Sequence, residues 1–218
     1  HSFLMDVRDF LKLPDEKIPE ELFHLDVLDG SPPCSVFSTA GAREEGWNTE
    51  KVFREGQAKQ RLDDLFLYFI AIAKRLQPKV VIAENVKGII IGNAKGWVNQ
   101  IVKGFDGAGY VVQIFLFNAA RMGVPQKRER VFFIAHRKDL KYPKLSMEFH
   151  SKPIPFRDVR EPYGKPMDPD SMQAKLLKYR IPTDRCIADI NERVRKVKNN
   201  GFSTPINRDE EPVQTIVS

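Results

Sequence analysis

Short apolar runs alternate with helically spaced apolar positions over residues 1–140, and the alternation fades after residue 141. Leu25-Asp26-Val27-Leu28 reads as a buried strand ending at Asp29-Gly30. Between Arg61 and Leu76, the residues Leu62, Leu65, Phe66, Phe69, Ile70 and Ala73 recur at intervals that place them on one helical face. Pro78 stops that helix. The β-branched run Lys79-Val80-Val81-Ile82-Ala83 then predicts a buried strand. Val98, Ile101, Val102 and Phe105 predict a second helix with one apolar face, ending at Gly107 and Gly109. Tyr110 to Phe117 and Arg130 to His136 predict two further strands. Strands alternating with helices imply an α/β fold with a parallel, doubly wound sheet. Ligands of such sheets sit beyond the carboxyl ends of the strands, so the segments just after Leu28 and Ala83 are where chemistry is expected.

The stretch from residue 141 to about 205 has another texture. It holds Pro143, Pro153, Pro155, Pro162, Pro166, Pro169 and Pro182, with poor periodicity. Lys175, Lys178, Arg180, Arg185, Arg193, Arg195, Lys196 and Lys198 outweigh Asp184, Asp189 and Glu192. A small, loop-rich, basic lobe is expected here, separate from a domain over 1–140. Residues 206–218 are expected to return to that first domain.

Composition narrows the function classes. The formal net charge of +6 suits a polyanionic partner such as nucleic acid, although basic proteins need not have one. Two cysteines and four histidines, without metal-ligand spacing, predict no metal site and no disulfide framework. Such cysteine usage suits a reducing compartment. The apolar stretch Leu65 to Ala73 is far short of the roughly 20 residues a membrane span needs. His1 to Asp6 lacks the layout of a signal peptide, and Gln214 to Ser218 ends inside a strand-like run; a longer parent chain is therefore expected.

Three places carry candidate chemistry. Cys34 lies in Gly30-Ser31-Pro32-Pro33-Cys34-Ser35, directly after a predicted strand. Prolines stiffen that backbone, and two readings stand open: a thiol presented to the ligand crevice, or a buried inert cysteine. Glu84 opens Glu84-Asn85-Val86-Lys87-Gly88 at the end of another strand. It reads as a functional carboxylate, because unpaired burial there would be costly, or as a surface acid paired with Arg128 or Arg130. In Gln126-Lys127-Arg128-Glu129-Arg130, the two arginines alternate toward one side of a strand. They could grip a carboxylate, a phosphate or a base carbonyl, or form a solvated basic strand end.

Taken together and in order, these motifs resemble those of the DNA cytosine-5 methyltransferase family, bacterial or phage type. Pro33-Cys34-Ser35 with Phe37-Ser38 resembles the family's nucleophile motif, Glu84-Asn85-Val86 its Glu-Asn-Val motif, and Gln126 to Arg130 its Gln-x-Arg-x-Arg motif. Phe202-Ser203 through Arg208 to Pro212-Val213-Gln214-Thr215-Ile216 resembles the segment closing the recognition domain. Met5-Asp6-Val7 resembles the motif whose Asp meets the adenine of the methyl donor, and Leu65 aligns with an adenosine contact. The family's glycine-rich donor loop and the acidic residue for the ribose have no counterpart in this chain, so on its own it is expected to bind the donor weakly.

The resemblance implies a Rossmann-like S-adenosylmethionine-dependent methyltransferase sheet with a small target-recognition lobe. It implies Cys34 as nucleophile, Glu84, Arg128 and Arg130 as its catalytic companions, and Asp6, Pro32 and Leu65 as donor contacts. Ser35, Ser38, Asn85, Gln126, Lys175, Lys178, Arg193 and Arg195 become candidate DNA contacts. The loop from Thr39 to Gly56, with Trp47, could close over a flipped base or simply pack. Cys186 is read as structural. The implied partners are S-adenosylmethionine without metal, double-stranded DNA, and a cognate restriction endonuclease acting separately, for a monomeric enzyme in the bacterial cytoplasm at the nucleoid. A transfer-RNA cytosine-5 methyltransferase and an inactive DNA-binding remnant are the rival readings.

Overall fold

Residues 80–86 alternate between buried and half-buried positions, and in the computed structural model they form an inner strand of a four-stranded sheet. The structure describes residues 3–33, 64–91, 95–161, 167–197 and 203–215. Cys34, Ser35, Ser38 and the Thr39 to Gly56 loop lie outside the described residues. The chain divides into two compact units, residues 1–117 with 129–147, and 118–128 with 148–218.

The first unit holds helices α1 (Val7–Phe10), α2 (Leu65–Leu76) and α3 (Lys95–Gly107). Its strands are β1 (Val27–Gly30), β2 (Val80–Val86), β3 (Tyr110–Asn118) and β5 (Glu129–Arg137), in the order β1-β2-β5-β3; β4 (Gln126–Lys127) belongs to the second unit. β1 and β2 are parallel, with Gly30 opposite Ala83. β2 and β5 are antiparallel, with Glu84 opposite Phe132 and Val86 opposite Arg130. The expected all-parallel sheet is therefore corrected to a mixed one. Residues 119–128, which join β3 to β5, hold only a short 3-10 turn and β4. A parallel return needs a longer crossover, usually a helix.

The core forms where the two periodicities meet. From the sheet come Val81, Ala83, Val131, Phe133 and Ala135, every second residue; from the helices come Phe66, Ile70, Ala73, Trp97, Ile101 and Phe105. Phe66 meets Phe133 edge-to-face at 5.1 Å between centroids, a geometry aromatic quadrupoles favour. Helix α3 is rotated from the expected face: Trp97 is buried, whereas Val102 is 36% exposed. The rotation puts Trp97, Ile101 and Phe105 on one stripe and lets the largest apolar side chain reach the core. Tyr110 is fully buried, and its hydroxyl donates to the carbonyl of Pro78 at 2.8 Å; burial pushes its pKa up to about 12, so it stays a neutral donor.

Helix α2 ends where Gln77 turns left-handed at φ 50°, its N–H reaching the Ala73 carbonyl. The N-terminal segment docks through Phe10 and Ile18 onto Ile72 and Leu76. Arg75 fastens it by donating to the carbonyls of Phe10 and Leu11 at 3.3 and 3.1 Å and pairing with Asp15. Those carbonyls at the end of α1 would otherwise lack helical partners.

The second unit is built from short pieces. Helix α4 (Met172–Leu177) is capped by Ser171, whose hydroxyl accepts from Ala174 N. Helix α5 (Ile187–Arg195) packs beside it with Ile190 buried, and Leu176 of α4 is buried as well. β4 pairs in parallel with β6 (Val213–Gln214), Gln126 lying opposite Val213. Phe156 N bonds Glu211 O at 2.8 Å and Lys127 pairs with Glu211. Residues 206–215, expected to rejoin the first domain, are tied by these bonds within the second unit.

Candidate functional site

The register of β2 against β5 sets the first part of the site. Glu84 and Arg130 lie diagonally across the antiparallel pair, on the sheet face opposite α2 and α3. Diagonal neighbours on one face are within reach of long side chains. Arg130 Nε meets Glu84 Oε1 at 2.8 Å, with the two side chains 21% and 28% exposed. Arg130 also donates through Nη1 to the Glu129 carbonyl at 2.8 Å. Lys87, just past β2, holds the Glu129 carboxylate at 2.7 Å. Two acids and two bases are thus interleaved at one end of the strand pair. Ion pairs this accessible contribute at most about 1 kcal/mol each, so their consequence is orientation rather than stability. A carboxylate that accepts stands beside a planar guanidinium that donates, an arrangement suited to a polar ring edge carrying an amine and a carbonyl. The ion-pair reading of Glu84 is the one the geometry meets, with Arg130 rather than Arg128 as the partner.

The second part is the base of the segment leading to Cys34. Asn85 is 4% exposed. Its Nδ2 donates to the Pro32 carbonyl at 3.0 Å, and its Oδ1 accepts from Val86 N at 2.9 Å. The side chain named as a candidate DNA contact is thus engaged inside the protein. Gly30 closes β1 against Phe69 of α2; a Cβ there would stand 2.6 Å from a ring carbon.

Of the candidate donor contacts, Asp6 caps α1, accepting from Arg8 N at 2.8 Å. Arg8 also reaches Asp64 at 3.1 Å and lies over the Tyr68 ring at 5.3 Å. A carboxylate has about four acceptor sites, so the capping bond leaves Asp6 able to accept from an adenine amine. Leu65 opens α2 with 9% exposure, and the Pro32 carbonyl is engaged by Asn85. All three candidate donor contacts belong to the first unit.

The remaining candidates lie in the second unit. Gln126 and Lys127 form β4, with the Lys127 carbonyl accepting from Thr215 Oγ1 at 3.0 Å. This joins Gln126-Lys127 to the stretch Val213 to Thr215. Arg128 falls at the end of this unit, while Arg130 belongs to the first. Arg193 donates to the Tyr179 carbonyl and to the buried Asp184 carboxylate, each at 2.7 Å. The amide of Ile181, together with Arg193, holds the Asp184 carboxyl below its usual range. Arg193 is thereby occupied in tying α5 to the link that follows α4. Lys175 sits 3.8 Å from Asp170, Lys178 caps α4, and Arg195 Nη1 lies 3.5 Å from Met172 Sδ.

A groove of about 510 Å³ in this unit brings together Arg185, Asn207, Arg208 and Gln214 with Asp189 and Glu211. Its acids are already engaged: Asp189 accepts from Arg185 N at 2.8 Å, and Glu211 pairs with Lys127. Arg208 is steadied by a bond to the Pro182 carbonyl at 2.8 Å. The sequence motifs place Arg208 and Gln214 in the segment resembling the close of the recognition domain but assign neither a contact with DNA. A polar run, Asn207-Arg208, beside Gln214 was the available signal.

Residues 4–212 match the model of the C-5 cytosine-specific DNA methylase family, and the chain belongs to that family. It is 37% identical over 159 residues to the type II methyltransferase M.NgoPII of Neisseria gonorrhoeae, spanning 69% of this chain and 41% of that one. It is 36% identical over 180 residues to the type II methyltransferase M.FnuDI of Fusobacterium nucleatum, spanning 81% of this chain and 47% of that one. An orphan methyltransferase of Bacillus phage SPR, M.SPRI, is 34% identical over 147 residues. The chain thus spans about half the length of the curated relatives it matches.

Proposed function

We propose that the full-length protein transfers a methyl group from S-adenosylmethionine to carbon 5 of cytosine in duplex DNA, in the bacterial cytoplasm, as a monomer whose cognate restriction endonuclease acts separately. The observation that carries this reading is the Glu84–Arg130 pair at 2.8 Å on the face of β2 and β5 away from α2 and α3, with β2 next to the strand that leads to Cys34. S-adenosylmethionine supplies the electrophilic methyl group, and Asp6, Pro32 and Leu65 are the residues here that would hold its adenosine.

The chain's own groups do the rest. The Cys34 thiolate adds to carbon 6 of the pyrimidine and makes carbon 5 nucleophilic. Glu84 bonds ring nitrogen 3 and the exocyclic amine, favouring protonation as charge builds on the ring. Arg130 holds the carbonyl at position 2, and Arg128 supports the Cys34 segment or a phosphate. After methylation carbon 5 loses its proton and the Cys34 thiolate is expelled. Carbon 6 is inaccessible inside a duplex, so the cytosine is flipped out. Ser35 and Ser38 lie close to the nucleophile in sequence and contact the extruded nucleotide. In the second unit Gln126, Lys175, Lys178 and Arg195 meet the duplex, mostly at phosphates. The groove with Asn207, Arg208 and Gln214 adds amide and guanidinium groups of the kind that read base edges. Arg193 contributes by holding α5 to the link that follows α4.

The test is methyl transfer by the full-length protein on duplex DNA and on transfer RNA, read as 5-methylcytosine by mass spectrometry. Product in duplex DNA, absent in a Cys34→Ser variant, supports the reading. Product in transfer RNA alone replaces it with the RNA enzyme, and product in neither leaves the binding remnant.

A further inference from the structure

We infer that Asn85 is a positioning residue: its side chain replaces a missing rung between β1 and β2 and, with Gly30 seated on Phe69, fixes residues 30–32 so that the segment entering Cys34 is registered against Glu84. The inference rests on the proposed function for the role of Cys34, but the latch itself is a matter of geometry.

The parallel pairing of β1 with β2 runs from Val27 opposite Val80 to Gly30 opposite Ala83. Continued in the same register, it would set residue 32 opposite residue 85. Pro32 and Pro33 have no N–H to donate, so the ladder cannot continue through them. The Asn85 amide bridges that position instead, donating to the Pro32 carbonyl at 3.0 Å. Its other end accepts from Val86 N at 2.9 Å, so both ends of a side chain 4% exposed are bonded. An amide buried on the helix-facing side of β2, with the apolar Val81 and Ala83, is costly unless satisfied in this way. Two residues earlier, Gly30 lets the Phe69 ring lie against the backbone, where a Cβ would come within 2.6 Å. Bond and ring fix the chain on either side of Ser31. Glu84 precedes Asn85 on the same strand, so one strand end sets both the acid and the exit of the nucleophile segment.

The test compares Asn85→Asp and Asn85→Ala with the parent in the full-length protein. Asn85→Asp keeps the shape and the acceptor toward Val86 but presents an oxygen to the Pro32 carbonyl. Both variants are expected to lower kcat, and the rate of covalent trapping on 5-fluorocytosine DNA, by roughly 100-fold, the size expected of about 1 Å misplacement. The KM for DNA stays near that of the parent, while the melting temperature falls because each variant leaves a buried polar group unsatisfied. Gly30→Ala, which acts from the Phe69 side, lowers kcat in the same selective way and decides the matter if the Asn85 variants do not fold. Parent-like kcat in Asn85→Asp overturns the inference, as does a rise in the KM for DNA as large as the fall in kcat. A Cys34→Ser protein that still forms the adduct overturns the proposed function instead, whatever the Asn85 variants do.

Discussion

The two units are held together by different physics. The first buries aromatic and branched side chains from two helices against a sheet, and its fully buried residues include Phe105, Ile101, Val81, Val131 and Phe133. Among its described residues the second fully buries only Ile190 of the large side chains and adds polar ties: Arg193 with Asp184, Lys127 with Glu211, Arg160 with Asp209 and Arg157 with Glu210. Rigid strands suit groups that must be placed to within about half an ångström, and Glu84 and Arg130 stand on such strands. Ion-paired loops and short helices tolerate substitution more readily, which suits a surface that chooses among partners.

That contrast can be broken most forcefully at the core. Phe133→Ala is expected to destabilise the first unit by about 3–5 kcal/mol, measured by urea unfolding. A loss under about 1 kcal/mol would mean that the sheet is not held by its apolar face. Next in size, Glu84→Gln in the full-length protein should lower kcat/KM for methyl transfer by roughly 100-fold or more with little change in melting temperature, since an accessible ion pair contributes about 1 kcal/mol or less. Parallel losses of activity and stability would erase the separation between scaffold and site.

The polar ties of the second unit predict a pH dependence. The Asp184 carboxyl is held below its ordinary value by the Ile181 amide and Arg193. Its contribution is fully present above the unfolded carboxyl pKa of about 4 and is lost as pH falls through the lower folded value. Amide exchange in α4 and α5 should therefore accelerate in acid more than in α2 and α3, and Asp184→Asn should flatten that difference. Equal acid sensitivity in the parent and the variant would contradict it. The smallest effect concerns the groove. Arg208→Ala should reduce the slope of log affinity against log salt by about one if Arg208 meets a phosphate, measured by DNA titration at several salt concentrations. Arg193→Ala should leave that slope unchanged while lowering the melting temperature.

Much of this was legible in the chain itself, for local reasons. The β2 run and the Leu65 to Leu76 helix follow from periods of two and 3.6 residues, which act over a few neighbours. What stayed hidden depends on partners distant in sequence. The direction of β5 is set by the short link behind it. The face of α3 was misplaced because Trp97 lies one residue before the expected stripe. Arg193 looked like a free cation until Asp184, nine residues away, was seen to hold it. Asn85 looked like a substrate contact because the register that sets it opposite Pro32 cannot be read from either segment alone. The family motifs mark Glu84 and Arg130 in the chain, and the antiparallel register of β2 and β5 sets how the two are arranged.

The central claim is that Cys34 attacks a cytosine held by Glu84 and Arg130. Its most direct test incubates the full-length protein with S-adenosylmethionine and duplex DNA carrying 5-fluorocytosine at the target position, then maps the cross-link by peptide mass spectrometry. The account predicts a single covalent bond between the Cys34 sulfur and the modified base, absent in Cys34→Ser and much slower to form in Glu84→Gln. A cross-link at another residue, or none on DNA that the protein demonstrably methylates, would contradict it.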